Sequence, residues 1–289
     1  MDGLVLHDAT KDQLLHFLSS PSHAVLLAGP MGIGKSAVAE ALIAELLGTT
    51  PAKLSTYPHF TRVSPDGASI SIEAIRQLQK FLQLKTIGTH PYRRAVLVEQ
   101  AQALTTEAQN AYLKLLEEPP ADTILVMTVS SPRALLPTIL SRVQTITVTT
   151  PSEAALQQLL IASGKDKTAQ TQAYFLSGGL PGLLSALLSG DQDHPLQTSV
   201  ATAKEILQKP PFERLALVDS LSKQKETAKA VLEALERIAQ TGLRGASAKQ
   251  DMARIRQWHR IRKYTLEARE ALERSANAKL ALSNLFLSL

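Results

Sequence analysis

With 289 residues and 44% hydrophobic content, the chain can bury a sizeable core and is long enough for two or three domains. It has no cysteine, which excludes disulfides, thiolate nucleophiles and cysteine zinc sites; its seven histidines form no His-Glu-x-x-His or other tight ligand pair, so His59 and His90 read as surface or core residues. No apolar run nears the roughly eighteen residues of a membrane span, and the first residues lack signal-peptide regions, so no membrane partner and a cytoplasmic location are expected. The net charge of +5 suits a nucleic-acid partner without requiring one. Its placement is more informative, because Arg254, Arg256, Arg260, Arg262 and Lys263 crowd around Trp258 and His259. That stretch reads as a solvated helix face or as a contact for phosphate or an acidic partner.

In chain order, Thr10 reads as the cap of a helix over Lys11 to Ser19, and Ala24 to Ala28 as a strand. The next eight residues, Gly29-Pro30-Met31-Gly32-Ile33-Gly34-Lys35-Ser36, fit the phosphate-binding loop G-x-x-x-x-G-K-[ST] at every fixed position, and a helix from Ser36 to Leu47 follows. Strand, loop and helix stand in the order this chemistry needs. The glycines let backbone N–H groups turn in around phosphates and the helix N-terminus adds partial positive charge, while Lys35 can reach the terminal phosphates and Ser36 can ligate Mg²⁺. ATP or ADP with Mg²⁺ is the expected cofactor, held by residues 29 to 36.

A short strand is expected over Phe60 to Val63. Ser71 to Gln83 then places Ile72, Ile75, Leu78, Phe81 and Leu82 at amphipathic-helix spacing. On that helix Arg76 and Lys80 stand one turn apart, either as a solvated face or as a contact for DNA phosphates. Strand Arg94 to Val98, helix Thr106 to Glu117 before Pro119-Pro120, strand Thr123 to Thr128, helix Pro132 to Leu135 and strand Thr145 to Val148 follow. Such alternation predicts an α/β domain with a parallel sheet, helices on both faces and nucleotide at the carboxyl ends of the strands. After Pro151 the pattern is helical: Ser152 to Ser163, Thr168 to Leu176, and a helix to about Leu188 after Gly179-Leu180-Pro181-Gly182. Ser189 to Leu196 reads as a hinge. From Thr198 four or so helices are expected, broken at Pro210-Pro211 and at Gly242 to Ser247.

A P-loop ATPase needs an acidic residue at the end of a neighbouring strand on the Mg²⁺ side and a second carboxylate to activate water. Glu99 fills the first role, but Gln100 follows it and cannot accept a proton as a carboxylate does. Binding without efficient hydrolysis is expected.

The run Leu104 to Pro120, with Asn110-Ala111-Tyr112-Leu113-Lys114-Leu115-Leu116-Glu117-Glu118-Pro119-Pro120 at its centre, then Thr128 and Leu135 to Arg142, resembles the AAA+ clamp-loader subunits of bacterial DNA polymerase III. The likeness is strong to about residue 190 and weaker beyond. It implies an AAA+ nucleotide-binding domain over 1–150, a helical lid over 151–195 and an all-α collar over 196–289. It also implies a ring shared with gamma/tau-like and delta-like subunits that places a sliding clamp on primer-template DNA, in a bacterial cytoplasm at the nucleoid. By the same resemblance Thr128 takes the sensor 1 position and Arg142 the arginine finger that reaches a neighbouring subunit's ATP site.

The family's four-cysteine zinc module is absent, only residues 48 to 58 spanning its place, so no zinc is expected. Val143 stands where the family often has cysteine, and Leu180 where an AAA+ sensor 2 arginine can lie. Together with Gln100, these departures point to the delta prime type rather than to the hydrolysing gamma/tau motor. A gamma/tau-like motor and a nucleotide-free scaffold of the same ring are the alternatives.

Overall fold

A computed structural model describes residues 4–67, 69–86, 89–190, 195–274 and 276–289. The chain divides into two compact units, one through Leu156 and one from Gln157.

In the first unit, strands β1 (Ala24–Ala28), β2 (Phe60–Val63), β3 (Arg94–Val98), β4 (Thr123–Val129) and β5 (Gln144–Thr147) form one parallel sheet in the order β2-β3-β4-β1-β5. The three inner strands are buried at every residue and almost entirely apolar, as a parallel sheet covered on both faces requires. The edges carry Thr61, Arg62, Thr145 and Thr147. Around the sheet lie α1 (Asp8–Ser19), α2 (Lys35–Leu47), α3 (Ile72–Leu82), α4 (Thr106–Glu117) and the single turn α5 (Pro137–Leu140). Because successive strand residues face opposite ways, Leu26, Val96, Leu125 and Met127 share one core with Ile75, Leu78 and Tyr112 of α3 and α4. The alternate residues, among them Val25, Leu27, Leu97 and Val126, are equally buried on the other side, and α2 packs against β1, β3 and β4.

Caps set the helix starts. Ser71 and Thr105 accept the N–H groups of Ala74 and Ala108 at 3.4 and 3.2 Å, fixing α3 and α4. The buried guanidinium of Arg94 donates to the carbonyls of Leu82 and Leu84 at the end of α3.

Three local readings need correction. Thr10 is not a cap: α1 begins at Asp8 with His7 capping Ala9 N–H, and Thr10 is buried, its hydroxyl donating to the Thr147 carbonyl at 3.0 Å. The expected helix at Pro132 is one 3-10 turn, Pro132–Ala134; the α-turn comes later, at Pro137–Leu140, where Pro137 has a fixed φ suited to a first turn. The expected break at Gly242 to Ser247 is absent, because α12 (Lys225–Ala248) runs straight through it.

In the second unit α12 pairs with α13 (Met252–Glu273) as the most extensive helix contact. Helix α6 (Glu153–Ala162) crosses the division between the units, and α7 (Lys167–Ser177), α8 (Pro181–Ser189), α9 (Pro195–Gln208), α10 (Pro211–Ala216), α11 (Val218–Lys223) and α14 (Ala278–Ser288) complete the set. Most of the expected hinge, residues 191–194, lies outside the described residues. Ile206, Val231, Leu235, Leu272, Leu285 and Phe286 form the core. Arg214 ties this core together by donating to the carbonyls of Ile206, Leu207 and Phe286.

Gly242 persists within α12 because the Trp258 ring of α13 lies against it; a Cβ there would stand 2.2 Å from the ring. Nothing lies within 4 Å of a Cβ at Gly245. Both glycines gain about 1 kcal/mol of helix propensity on becoming alanine. Gly245→Ala is therefore expected to raise the melting temperature, whereas overpacking of about 1–3 kcal/mol makes Gly242→Ala lower it. Equal shifts in thermal unfolding would refute the close Trp258 packing.

Candidate nucleotide-binding site

Gly29 to Ser36 links the carboxyl end of β1 to α2. Gly32 and Gly34 have φ of 80° and 94°, which only glycine adopts readily, and the N–H groups of Gly32, Gly34, Lys35 and Ser36 have no acceptor among the described residues. Helix α2 has no side-chain cap and no acid in its first turn. These unmet donors and the helix N-terminus form a nest that fits phosphate oxygens. Gly29 admits no side chain, since a Cβ would come 2.4 Å from the carbonyl of Val148, just beyond β5.

The Lys35 ammonium bridges its own loop, donating to the carbonyls of Gly29 at 2.6 Å and Pro30 at 2.9 Å. Burial lowers its pKa to about 8. The hydroxyl of Ser36 is exposed at the start of α2, available to a nucleotide-bound Mg²⁺.

Register brings the remaining candidate residues to the same edge. Leu27 pairs with Thr128 on β4, and Val98 pairs with Met127, so Glu99, just past β3, stands beside Thr128. With about 4.8 Å between neighbouring strands, the loop, Thr128 and Glu99 lie on three adjacent strands within roughly 10 Å of lateral span. Gln100 has φ 51° and donates its N–H to the Thr128 hydroxyl at 3.0 Å. This left-handed conformation of a non-glycine residue, costing about 1–3 kcal/mol, fastens the end of β3 to Thr128. The Thr128 hydroxyl accepts that bond and keeps its own proton to donate.

Sequence reasoning missed the neighbours of Glu99. Its carboxylate accepts from the Ser64 hydroxyl at 3.0 Å and lies 3.9 Å from Arg62, which also pairs with Glu40 of α2. Arg62 shows in the sequence only as a cation in an edge strand; its relation to Glu40 and Glu99 depends on β2 lying next to β3.

Arg142 joins no loop residue. It follows α5, partly exposed, with its guanidinium 2.9 Å from Glu117 at the end of α4 and donating to the Thr138 carbonyl at 3.0 Å. Arg76 and Lys80 are exposed on α3, Arg76 in a loose 3.6 Å pair with Glu73. Among the described residues no group of three His, Cys, Asp or Glu could hold a metal, and no helix is long and apolar enough to cross a membrane.

The family model described as "DNA polymerase III, delta subunit" matches residues 13–152. The chain is 36% identical over 179 residues to DNA polymerase III subunit delta' of Pseudomonas aeruginosa, covering 55% of this chain and 54% of that one. It is 30% identical over 171 residues to the subunit of the same name from Bacillus subtilis, covering 55% and 49%. The chain thus spans about half the length of the curated relatives it matches. Among solved structures, a DNA polymerase III gamma subunit-related protein of Thermotoga maritima aligns with 96% of this chain and 97% of its own at TM-score 0.51 and 20% identity, a likeness of fold. The loop at the carboxyl edge of a five-stranded parallel sheet, the helices that follow it and the matched segment agree: over residues 13–152 the chain is similar to the delta' subunits of bacterial DNA polymerase III.

Proposed function

We propose that the chain is a clamp-loader subunit that holds ATP or ADP with Mg²⁺, turns it over little by itself, and lends Arg142 to the ATP site of a neighbouring ring subunit. The observation that carries this reading is the carboxyl edge of the sheet, where an intact phosphate nest and Lys35 stand beside Glu99 but Gln100 takes the place of a water-activating carboxylate. Mg²⁺ would draw on Ser36 and Glu99 and would supply charge neutralisation to the phosphates. In this chain Glu99 is engaged by Ser64 and Arg62, which further favours holding over hydrolysing.

The proposed parts are the AAA+ domain over 1–150, the lid over 151–195 and the collar over 196–289. Gamma/tau-like and delta-like subunits are the proposed ring partners, with the sliding clamp and primer-template DNA as what the ring acts on in the bacterial cytoplasm at the nucleoid. Arg76 and Lys80 on α3 are proposed DNA-phosphate contacts. Naming of the relatives as subunits of one polymerase supports the setting. Titration calorimetry of the purified chain with Mg-ATP and Mg-ADP is expected to show binding, with negligible phosphate release in a parallel turnover assay. Absence of heat at millimolar nucleotide would favour the scaffold, and brisk turnover would favour the motor.

A further inference from the structure

The chain's excess positive charge sits in one place. From Arg244 to Lys263 there are seven lysines and arginines against one acid, Asp251, while the rest of the chain carries 24 basic and 25 acidic residues. Those twenty residues are the end of α12, the turn 249–251 and the first half of α13. Arg256, His259, Arg260 and Lys263 fall within about 100° of one face of α13. Arg244 and Arg262, from the two helices, line an open cleft of about 330 Å³ together with Gln240 and Leu243.

Only part of this charge is tied into the fold, Arg254 pairing with Asp251 at 3.5 Å and Lys263 with Glu267 at 4.0 Å. Arg254 and Arg256 lie in the first turns of α13, where the helix dipole disfavours positive charge, and Glu267 and Glu270 lie towards its end, where negative charge is disfavoured. Among the described residues Arg256 donates only to the carbonyl of Met252 in its own helix. Arg244 lies over the Phe175 ring at 5.4 Å, and neither Arg260 nor Arg262 has a carboxylate within 4 Å among the described residues. The Nε of Arg262 is buried without a hydrogen-bond partner. Two guanidinium groups lining one cleft, with Arg256, Arg260 and Lys263 also on α13, describe a surface suited to an anion.

The geometry points to a nucleic-acid backbone as that anion: the N-terminal half of α13 with Arg244 of α12 is a phosphate-binding surface separate from the nucleotide site and from α3. A protein partner needs an apolar centre to its patch. Here Trp258 is turned against Gly242, and the exposed apolar side chain nearby, Met252, stands at the end of the helix. A polar, densely cationic face free of interleaved carboxylates from Met252 to Leu266 matches nucleic-acid interfaces instead.

Fluorescence anisotropy with a labelled oligothymidylate tests this on the full chain carrying Arg76→Gln and Lys80→Gln, so that α3 does not contribute. Adding Arg256→Gln, Arg260→Gln and Arg262→Gln is expected to weaken binding at least about tenfold and to reduce the slope of log affinity against log salt by about 2, at roughly 0.7 per phosphate contact. Arg256→Gln with Arg260→Gln alone leaves the half-buried Arg262 in place and is expected to reduce the slope by about 1.4, with unaltered thermal unfolding. No DNA binding by the starting protein, or an unchanged slope in both variants, overturns the proposal. Polyglutamate displacing the DNA as effectively at equal charge concentration also overturns it, in favour of an acidic protein partner.

Discussion

Replacing Arg142 with alanine is expected to leave folding, nucleotide binding and assembly of this chain intact while reducing DNA-stimulated ATP hydrolysis by the adjoining subunit by up to about 10³ to 10⁵-fold, the range of arginine fingers supplied in trans. The structure accounts for the harmless half of this expectation. Arg142 is partly exposed, and its ion pair with Glu117, itself half-exposed, is of a kind that contributes about 0.2–1 kcal/mol. Lysine should rescue poorly, because one ammonium cannot reproduce the planar fork that pairs with phosphate oxygens as charge builds. Glu117→Gln keeps the guanidinium and removes only its tether, so a loss smaller than about tenfold is expected from this variant. The measurement is steady-state ATP turnover by rings reconstituted with each chain. Equal turnover in correctly assembled wild-type and Arg142→Ala rings would sink the finger assignment.

Lys35 carries the second large effect, and its direction depends on pH. Burial holds its pKa near 8, so below that the ammonium is present before nucleotide arrives, whereas above it binding must draw in a proton. Mg-ATP affinity is expected to be level below about pH 8 and to fall up to about tenfold per unit above it, as phosphate oxygens restore the ordinary lysine range. Lys35→Ala should flatten that profile and weaken binding by about 10- to 100-fold, the worth of one or two charge-assisted hydrogen bonds. Stability moves the other way. The folded pKa lies below the unfolded one, so the unfolded chain binds more protons between about pH 8 and 10.5, and stability rises with pH through that window. Below it desolvation of the buried charge weighs against the apo fold, and Lys35→Met is expected to remove this rise of stability with pH between about pH 8 and 10.5. Calorimetry in buffers of different ionisation enthalpy reads proton uptake directly. Affinity independent of pH with no uptake near pH 8.5 would overturn the linkage.

Much of the first unit is legible without coordinates, because its signals are local. Inner strands of a parallel sheet must be apolar throughout, and β1 and β3 have the bounds that their hydrophobic runs predict. Helix α4 runs from Thr106 to Glu117 as its sequence and the Pro119-Pro120 pair predict, with Thr105 capping its start. The errors arise where a local signal competes with a distant partner. Thr10 has the chemistry of a cap, yet Thr147 takes its hydroxyl. Gly242 to Ser247 has the composition of a break, but α12 continues because Trp258, sixteen positions on, fills the space beside Gly242.

The same division runs through the site. Spacing alone determines the phosphate loop, Lys35, Ser36 and the Glu99-Gln100 pair, because backbone geometry around a phosphate restricts which residues can stand where. Only the tertiary structure decides how those groups are held: strand order sets Thr128 beside Gln100 and brings Arg62 to Glu99, and the seating of α5 against α4 gives Arg142 its partner in Glu117. The physical reason is that periodicity and turn chemistry act over a few residues, whereas a side chain's charge state and orientation come from neighbours that are distant in sequence and brought close by folding. Burial moves Lys35 to about 8 for that reason.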